Sequence, residues 1–539
     1  MIRITELSLP LDHSSADLRR AIIQRLDITD EMLIDFSVFK RSYDARKKNS
    51  EILFVYIIDV EVANEEALLQ KFGKDNHVRP APDTCYKSVA VAPPNLPERP
   101  VIVGFGPCGL FAALTLAQMG FKPLVLERGR DVRQRTKDTW GLWRKKILTS
   151  ESNVQFGEGG AGLFSDGKLY SQIKDPKFYG RKVMEEFVRA GAPEEILYVS
   201  KPHIGTFRLT GVVSAMREEI KRLGGEVRFG SKVEDFLIRD GRVMGVRLQE
   251  GEEIASRYVV LSLGHSARDT FRRLHELGVF IEAKPFAIGF RIEHPQSLID
   301  KARLGKYAGH PELGAADYKL VHHARNGRAV YSFCMCPGGT VVAATSEPGK
   351  VVTNGMSQYS RNERNANAGI VVGIHPEQDY PGGVLAGVEL QEKLEAQAFV
   401  LGGEDYCAPA QLVGDFLQGK PSRALGEVIP SYKPGVLLGD LHPSLPAYAI
   451  DAIREALPQF GRQIRGFDRA DAVLTGVETR TSSPVRITRD ATSLQSLNTR
   501  GLYPAGEGAG YAGGILSAGV DGIKVAEAVA LAMLADRGA

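Results

Sequence analysis

The chain has 539 residues, of which 43% are hydrophobic and 25% charged. That composition belongs to a folded protein of roughly three or four domains at about 150 residues each, and excludes a disordered or low-complexity chain. A formal net charge of +3 excludes any global electrostatic pull toward nucleic acid or a membrane surface.

Residues 1–95 are expected to form a small α+β module. "IRITELSLP" alternates like a strand, "SADLRRAIIQRL" (15–26) has helical spacing with Ser14 or Ser15 as N-cap, and "EILFVYIIDVEV" has the apolar run of a buried strand. "KRSYDARKKN" (40–49) carries five basic residues and one acid. It suits a solvated hairpin turn. The alternative, a contact for nucleic acid or another acidic partner, is opposed by the near-zero net charge and the single interleaved aromatic, Tyr43. The N-terminus lacks a basic segment followed by an apolar core, and no apolar run is long enough to span a bilayer, so a cytoplasmic protein without a membrane partner is expected. Cys85, Cys108, Cys334, Cys336 and Cys407, few and odd in number, fit a reducing compartment better than a disulfide framework.

After the Pro-rich linker "APPNLPERP", residues 96–278 open a nucleotide-binding pattern. Val101-Ile102-Val103 enters the turn "GFGPCG" as a parallel strand. Gly104 allows the tight turn, Gly106 lets backbone approach a pyrophosphate, and Gly109 permits close packing of helix on strand, with Pro107 and Cys108 between them. The helix "LFAALTLAQMG" then points its first amides at the phosphates. "KPLVLE" ends at Glu127, 23 residues after Gly104, where a carboxylate can accept both ribose hydroxyls of an adenosine. Strand, turn, helix and terminal acid together predict a dinucleotide site.

The segments after Glu127 favour flavin over nicotinamide. "RGRDVRQRTKDTW" is charged and unlike a third strand, and "VQFGEGGAGLFSDGKLY" (154–170) is a glycine-dense loop suited to cover a flavin ring. A helix is expected at 211–225, then the strand-like runs "EVRFGSKVEDFLI", "RVMGVRLQ" and "YVVLSLG". Residues 279–470 are strand-rich and Gly/Pro-punctuated, a separate sheet domain. Residues 471–539 return to a strand–glycine–helix pattern, "YPAGEGAGYAGGILSAG". There Glu507 is positioned for ribityl hydroxyls, and Gly513, Gly514 and Ile515 open a helix whose free amides would face the ring carbonyl that becomes negative on reduction.

These pieces resemble the FAD-dependent oxidoreductases of glutathione-reductase type, and within them the bacterial family of FAD-dependent dehydrogenases. The resemblance runs over nearly the whole chain, including "GEGGAGLFSDGKL", "KPHIGT", "FAIGFRIEHPQ", "FCMCPGG" and "GVETRTSSPVRI". It implies an α/β fold: a Rossmann-type FAD-binding domain in two parts (96–278 and 471–539), a strand-rich substrate domain (279–470) and the N-terminal module. FAD would be lined by Gly104, Gly106, Gly109, Glu127, Arg128, Gly160, Gly162, Gly506 and Glu507, with Val233 meeting the adenine through its backbone. Ser165 and Lys168 lie in or after the covering loop, Lys168 either supporting the reduced ring or facing solvent. Gly264 would mark where the chain leaves the flavin domain. Glu507 stands where many relatives of the wider fold carry Asp.

The expected activity is hydride transfer through flavin to or from a small organic substrate held between the flavin and sheet domains. No second glycine loop of the 104–109 kind is found, since "GHSARDT" lacks the remaining glycines. Two routes stay open: NAD(P)H visiting the flavin as a transient donor, or reduction by the substrate itself. The alternatives to this activity are a flavin-dependent tRNA-modifying enzyme and a non-catalytic FAD-binding sensor.

Outside the flavin loops, "YSFCMCPGGTVVAATS" is expected to be a hairpin turning at Pro337-Gly338-Gly339. On a regular strand Cys334 and Cys336 share one face with Cα atoms about 6.6 Å apart, either a strained redox pair or, as packing favours, two small buried hydrophobes. No nearby His/Cys cluster completes a metal-ligand set. His203 and His294 lack local acid partners and are expected to be structural. Arg291 and Arg480 either bind an acidic substrate or pair with Glu293 and Glu478.

Overall fold

The computed structural model describes residues 1–45 and 51–538, so residues 46–49 of the basic stretch lie outside the described residues. The N-terminal module is a four-stranded antiparallel sheet in the order Leu33–Asp44, Leu53–Val62, Ile2–Pro10, Val78–Pro80. The helix Ser15–Leu26 covers it with Leu18, Ile22 and Leu26, positions on one helical face. Ser14 is the N-cap and forms a reciprocal capping box with Asp17. Leu33–Asp44 carries no clear strand signal: its side chains are mostly half-buried or exposed, so it lacks the apolar run that marks Leu53–Val62. It takes in the first residues of the basic stretch, and Arg41 exchanges backbone hydrogen bonds with Tyr198 and Ser200, at 2.6 and 2.8 Å. The module is thus docked on the next unit along a sheet edge.

The second unit is a five-stranded sheet, every pair of which is parallel, in the order Leu502–Pro504, Val259–Leu261, Val101–Val103, Leu124–Leu126, Glu226–Arg228. Strand order reverses between Val101–Val103 and Val259–Leu261, so the crevice at the carboxyl ends of these two strands is the topological switch point of a doubly wound sheet. The C-terminal helix Ile515–Gly538 packs on the helix Pro107–Gln118 through glycines: a Cβ at Gly522 would overlap the Cys108 carbonyl oxygen. This close approach brings residues 506–515 beside the 104–109 turn. A three-stranded antiparallel sheet, Glu253–Ala255, Arg242–Leu248, Val233–Arg239, stands beside the parallel one.

The third unit is a seven-stranded sheet in the order Val321–His323, Ala329–Cys336, Asn365–Ile374, Phe286–Pro295, Val473–Glu478, Ala408–Leu412, Val436–Leu438. Its central strand Phe286–Pro295 is buried along nearly its whole length, as a strand covered on both faces must be. Two features depart from the expected boundaries. Val473–Glu478 lies beyond residue 470 yet pairs between Phe286–Pro295 and Ala408–Leu412, so the sheet domain reaches at least Glu478. Ile281–Ala283 and Val485–Ile487 then pair antiparallel where the chain enters and leaves that domain. The expected helix at 211–225 spans Thr206–Arg222.

The hairpin expected at 331–346 does not form. Ala329–Cys336 pairs with Val321–His323 and Asn365–Ile374, while Gly339–Ala343 turns away to pair with Thr353–Ser357 in a separate two-stranded sheet. The Pro-Gly-Gly punctuation marks a change of sheet, with the Gly338 turn lying against the backbone of Arg361. No helix among the described residues is long and apolar enough to cross a membrane.

Candidate functional site

The glycine turn sits at the switch point. Gly104 has a φ of +100°, and a Cβ at Gly109 would overlap the Gly104 carbonyl oxygen, so the first helical turn lies directly against the strand end. Ser262, at the end of the neighbouring strand, donates its hydroxyl toward the carbonyls of Val103 and Gly104 at 2.9 and 2.8 Å. Pro107 is the first residue of the helix, where its missing N–H costs nothing. Cys108 is buried against Gly506, and burial pushes its thiol well up, so it packs rather than reacts.

Glu127 ends its strand as expected and is 5% exposed. Its carboxylate accepts the amides of Phe105 and Gly129 at 2.8 Å and of Gly157 at 2.9 Å. The acid therefore joins three segments: the glycine turn, the residues just after its own strand, and the covering loop. Arg128 pairs with Glu151 at 2.6 Å and Asp269 at 2.9 Å, its guanidinium lying over Phe156.

The covering loop is shaped by a residue that belongs to none of the motifs. Arg135 is fully buried and donates to the carbonyls of Asn153, Val154, Gly157 and Glu158 at 2.8, 2.8, 3.2 and 2.6 Å. The charged segment after Glu127 is the helix Val132–Lys145, and Arg135 stands on its buried face with Val132, Thr139 and Leu142. That spacing is the signal available in the sequence: an arginine at an apolar position of an amphipathic helix. Glu158 receives the Val132 amide and Arg217 at 2.8 and 2.7 Å, and Gly159 donates to Phe105 at 2.9 Å, closing the loop on the glycine turn.

The C-terminal segment completes the crevice. Gly506 has a φ of +73° and donates to Asp521 at 2.8 Å. Glu507 lies 3.7 Å from the His265 imidazole, with Lys284 near the carboxyl. Burial pushes the Glu507 carboxyl up to about 8, against the charge of Lys284 and the amides of His265 and Ser483. Burial, aided by Arg480 and Arg268, pulls His265 down to about 3. At neutral pH this is an approach of two neutral groups, not an ion pair. Gly264, Gly513 and Gly514 are exposed, with open space where a Cβ would project. Ile515 is buried against Gly162. Gly510 to Gly514, Ser517, Tyr170, Ser171 and Ile173 line an open cavity of ≈ 360 Å³ at the start of the last helix.

The other expected site residues are spread around this crevice and the sheet domain. Gly160 meets Gly106 backbone to backbone. The Ser165 hydroxyl caps its own turn on the Gly162 carbonyl at 2.7 Å. Lys168 is half-buried and donates to the Met335 carbonyl, reaching across to the sheet domain. Val233 is buried at the start of its antiparallel strand. His203 and His294 bond backbone carbonyls, of Tyr359 at 2.9 Å and Phe467 at 2.6 Å.

The two arginines are not free for an acidic substrate. Arg291 pairs with Glu478 at 2.7 Å rather than with Glu293, and its other donors go to Cys334 O, Asn367 and Asn354. Arg480 pairs with Glu395 at 2.7 Å, not with Glu478. Glu293 instead accepts Ser431 and Asn365. Their partners come from strands and helices distant in sequence. No cluster of three or more His, Cys, Asp or Glu among the described residues can hold a metal ion.

A family described as "FAD-dependent protein, C-terminal domain-like" matches residues 285–481, and a domain of unknown function matches residues 1–61. An uncharacterized protein of Clostridium beijerinckii is 49% identical over 527 residues, 98% of each chain. The chain belongs to the FAD-dependent protein family. Thiamine thiazole synthase of Methanococcus vannielii is 26% identical over 178 residues, 31% of this chain and 56% of that one. Among solved structures, L-proline dehydrogenase from P. horikoshii aligns over 80% of this chain and 93% of its own, at 15% identity and a TM-score of 0.34.

Proposed function

We propose that this chain is an FAD-dependent oxidoreductase of glutathione-reductase type, moving a hydride between the flavin and a small organic substrate. The observation that carries the reading is the Glu127 carboxylate, which ties the 104–109 turn to the 154–160 loop at the switch point of the parallel sheet. The residues present fit the cofactor. The glycine turn and the first amides of Pro107–Gln118 suit a pyrophosphate. Glu127 has acceptor capacity beyond its three amides for a ribose hydroxyl. Gly513 and Gly514 leave space at a helix start, where a negative ring carbonyl is stabilised, although the Gly513 amide, expected to be free, donates to the Ser517 hydroxyl at 3.2 Å.

When bound, FAD supplies two-electron acceptance and donation. The chain's own residues orient it: Ser262 holds the glycine turn, Arg135 shapes the covering loop, and Gly506 sets the approach of Glu507. Glu507, neutral at pH 7, is suited to donate a hydrogen bond to ribityl oxygens. Trp143 and Gln155 bond the carbonyls of Ala343 and Ala344 at 2.9 Å each, tying the loop to the sheet domain that would hold the substrate.

Anaerobic titration of the purified yellow protein tests this. Bleaching by NADH or NADPH identifies a nicotinamide donor; bleaching only by an organic substrate identifies a dehydrogenase that takes hydride from the substrate. Protein that is colourless as purified, and remains so after incubation with FAD, overturns the reading.

A further inference from the structure

Cys334 and Cys336 stand where the strand Ala329–Cys336 breaks step with its neighbour. Pairing with Asn365–Ile374 runs to Phe333↔Gly369 and resumes only at Cys336↔Asn367. Cys334 itself has a φ of +42°, in the left-handed region. An L residue adopts such a conformation only under strain, which packing two small hydrophobes does not require. The break replaces the shared face of a regular strand with a direct contact. The Cys336 thiol donates to the Cys334 carbonyl oxygen at 3.4 Å, and both cysteines are free.

Two cations flank the pair. Lys168 is anchored on the Met335 carbonyl between the two cysteines, and Arg291 donates to the Cys334 carbonyl at 2.9 Å. The carboxylates nearby are already paired, Glu478 with Arg291 and Asp166 with Arg361. Cys336 is buried while Cys334 is half-buried, so Cys334 is the nearer of the two to solvent. The Cys336 hydrogen bond, then Arg291 and Lys168, outweigh burial and hold the Cys334 thiol below its ordinary value, whereas Cys336 is raised.

We propose that Cys334 and Cys336 form a thiol–disulfide exchange couple acting on low-molecular-weight disulfides, with Cys334 the attacking sulfur and Cys336 the resolving one. The Cys334 thiolate attacks one sulfur of the disulfide, forming a mixed disulfide and expelling the first thiolate. Cys336 then gives its proton to solvent and attacks the Cys334 sulfur, expelling the second thiolate and closing the Cys334–Cys336 bond. The protein dithiol loses two electrons and the small disulfide gains them as two thiols. Neither step needs flavin, so this couple and the flavin reading stand or fall separately.

The test uses full-length protein carrying Cys85→Ser and Cys407→Ser, which removes the two other accessible thiols, and dithiodipyridine as the disulfide. Two thiopyridone equivalents are expected in a fast phase, leaving unlabelled protein lighter by two hydrogens. Adding Cys336→Ser should give one equivalent with the label retained at Cys334 by peptide mass spectrometry, and adding Cys334→Ser should abolish the fast phase. Between about pH 8 and pH 6 the fast phase should change little, where an ordinary thiol slows roughly 80-fold. Lys168→Met should move that profile upward. A single equivalent with retained label when both cysteines are present, or a label in Cys336→Ser lying elsewhere than Cys334, overturns the proposal; the latter readout does not depend on Cys334→Ser folding.

Discussion

The Glu127 carboxylate accepts the Phe105 amide at 2.8 Å, joining the end of one parallel strand to the turn at the end of its neighbour. Its other oxygen takes Gly129 and Gly157, so all three contacts use the charged acceptor form. Glu127→Gln sets an NH₂ group against at least one of these amide donors. Leaving a buried donor unmatched costs about 1–3 kcal/mol. We expect a lower denaturant midpoint and a reduced flavin-to-protein absorbance ratio after gel filtration. Unchanged stability and full flavin retention would show that this acid does not organise the site.

Arg135 feeds four carbonyls of the 153–158 loop from the buried face of a helix. Arg135→Met keeps the packing volume of the stem but strands those carbonyls, and removing such a partner costs upward of about 3 kcal/mol. Limited proteolysis should then cut within residues 150–160, where the native loop resists. A variant with native protease resistance would show that the loop is held by other contacts.

The parts of this fold legible in the sequence are those where local pattern and chain order coincide. Val101–Val103, its glycine turn and Glu127 lie within one strand–helix–strand unit, so spacing alone predicts them. Ser262 and His265 cannot be found as site residues that way, because Gly104 and Glu507 reach them from distant parts of the chain, and Arg135 shows only as an arginine at an apolar helix position. The Pro337-Gly338-Gly339 signal predicts a turn and a turn exists, but which strand Gly339–Ala343 joins depends on Thr353–Ser357, not on the turn chemistry. Likewise, alternation places both cysteines on one face, whereas the break in register at Phe333 and Cys336 is set by pairing with Asn365–Ile374.

Glu395 is fully buried between Arg268 and Arg480, at 2.6 and 2.7 Å, and so links the helix after the parallel sheet to the end of the seven-stranded one. Burial alone would raise its carboxyl, but the two guanidinium groups hold it well below the ordinary range. In the unfolded chain the same group takes up a proton near about pH 4.3. Its contribution is therefore complete above that pH and is lost as pH falls toward the depressed folded value. Glu395→Gln should flatten the acid limb of stability between about pH 5 and pH 3 while costing about 3–5 kcal/mol at neutral pH. Denaturant midpoints across that range check both effects, and an unchanged acid limb would remove Glu395 as its source.

Gly522 faces the Cys108 carbonyl, and a Cβ there would overlap it. Both atoms belong to helix backbones packed together, so neither yields by a simple side-chain rotation. Gly522→Ala should therefore cost about 1–3 kcal/mol and displace the 506–515 segment from the glycine turn. A fall in flavin affinity larger than the fall in stability is the expected signature, read by fluorescence titration with FAD at a temperature where the variant is fully folded.

Glu507 gives the opposite pH signature to Glu395. Its folded carboxyl keeps its proton up to about pH 8, whereas the unfolded one ionises near about pH 4.3. Between those values the folded state binds the extra proton, so stability falls as pH rises and levels off above the folded value. His265 stays neutral throughout, being held down at about 3, so it does not supply the trend. Lys284, lowered by burial, and Arg486 beside it are the cations on this side, and Lys284 favours the ionised carboxylate. Glu507→Gln, a neutral isostere, should remove the loss of Tm between about pH 5 and pH 8, and Lys284→Met should shift the upper end of that loss to higher pH. A wild-type Tm that does not fall across this range, or one that falls identically in Glu507→Gln, would mean the carboxyl is ionised and hydrated in the folded protein.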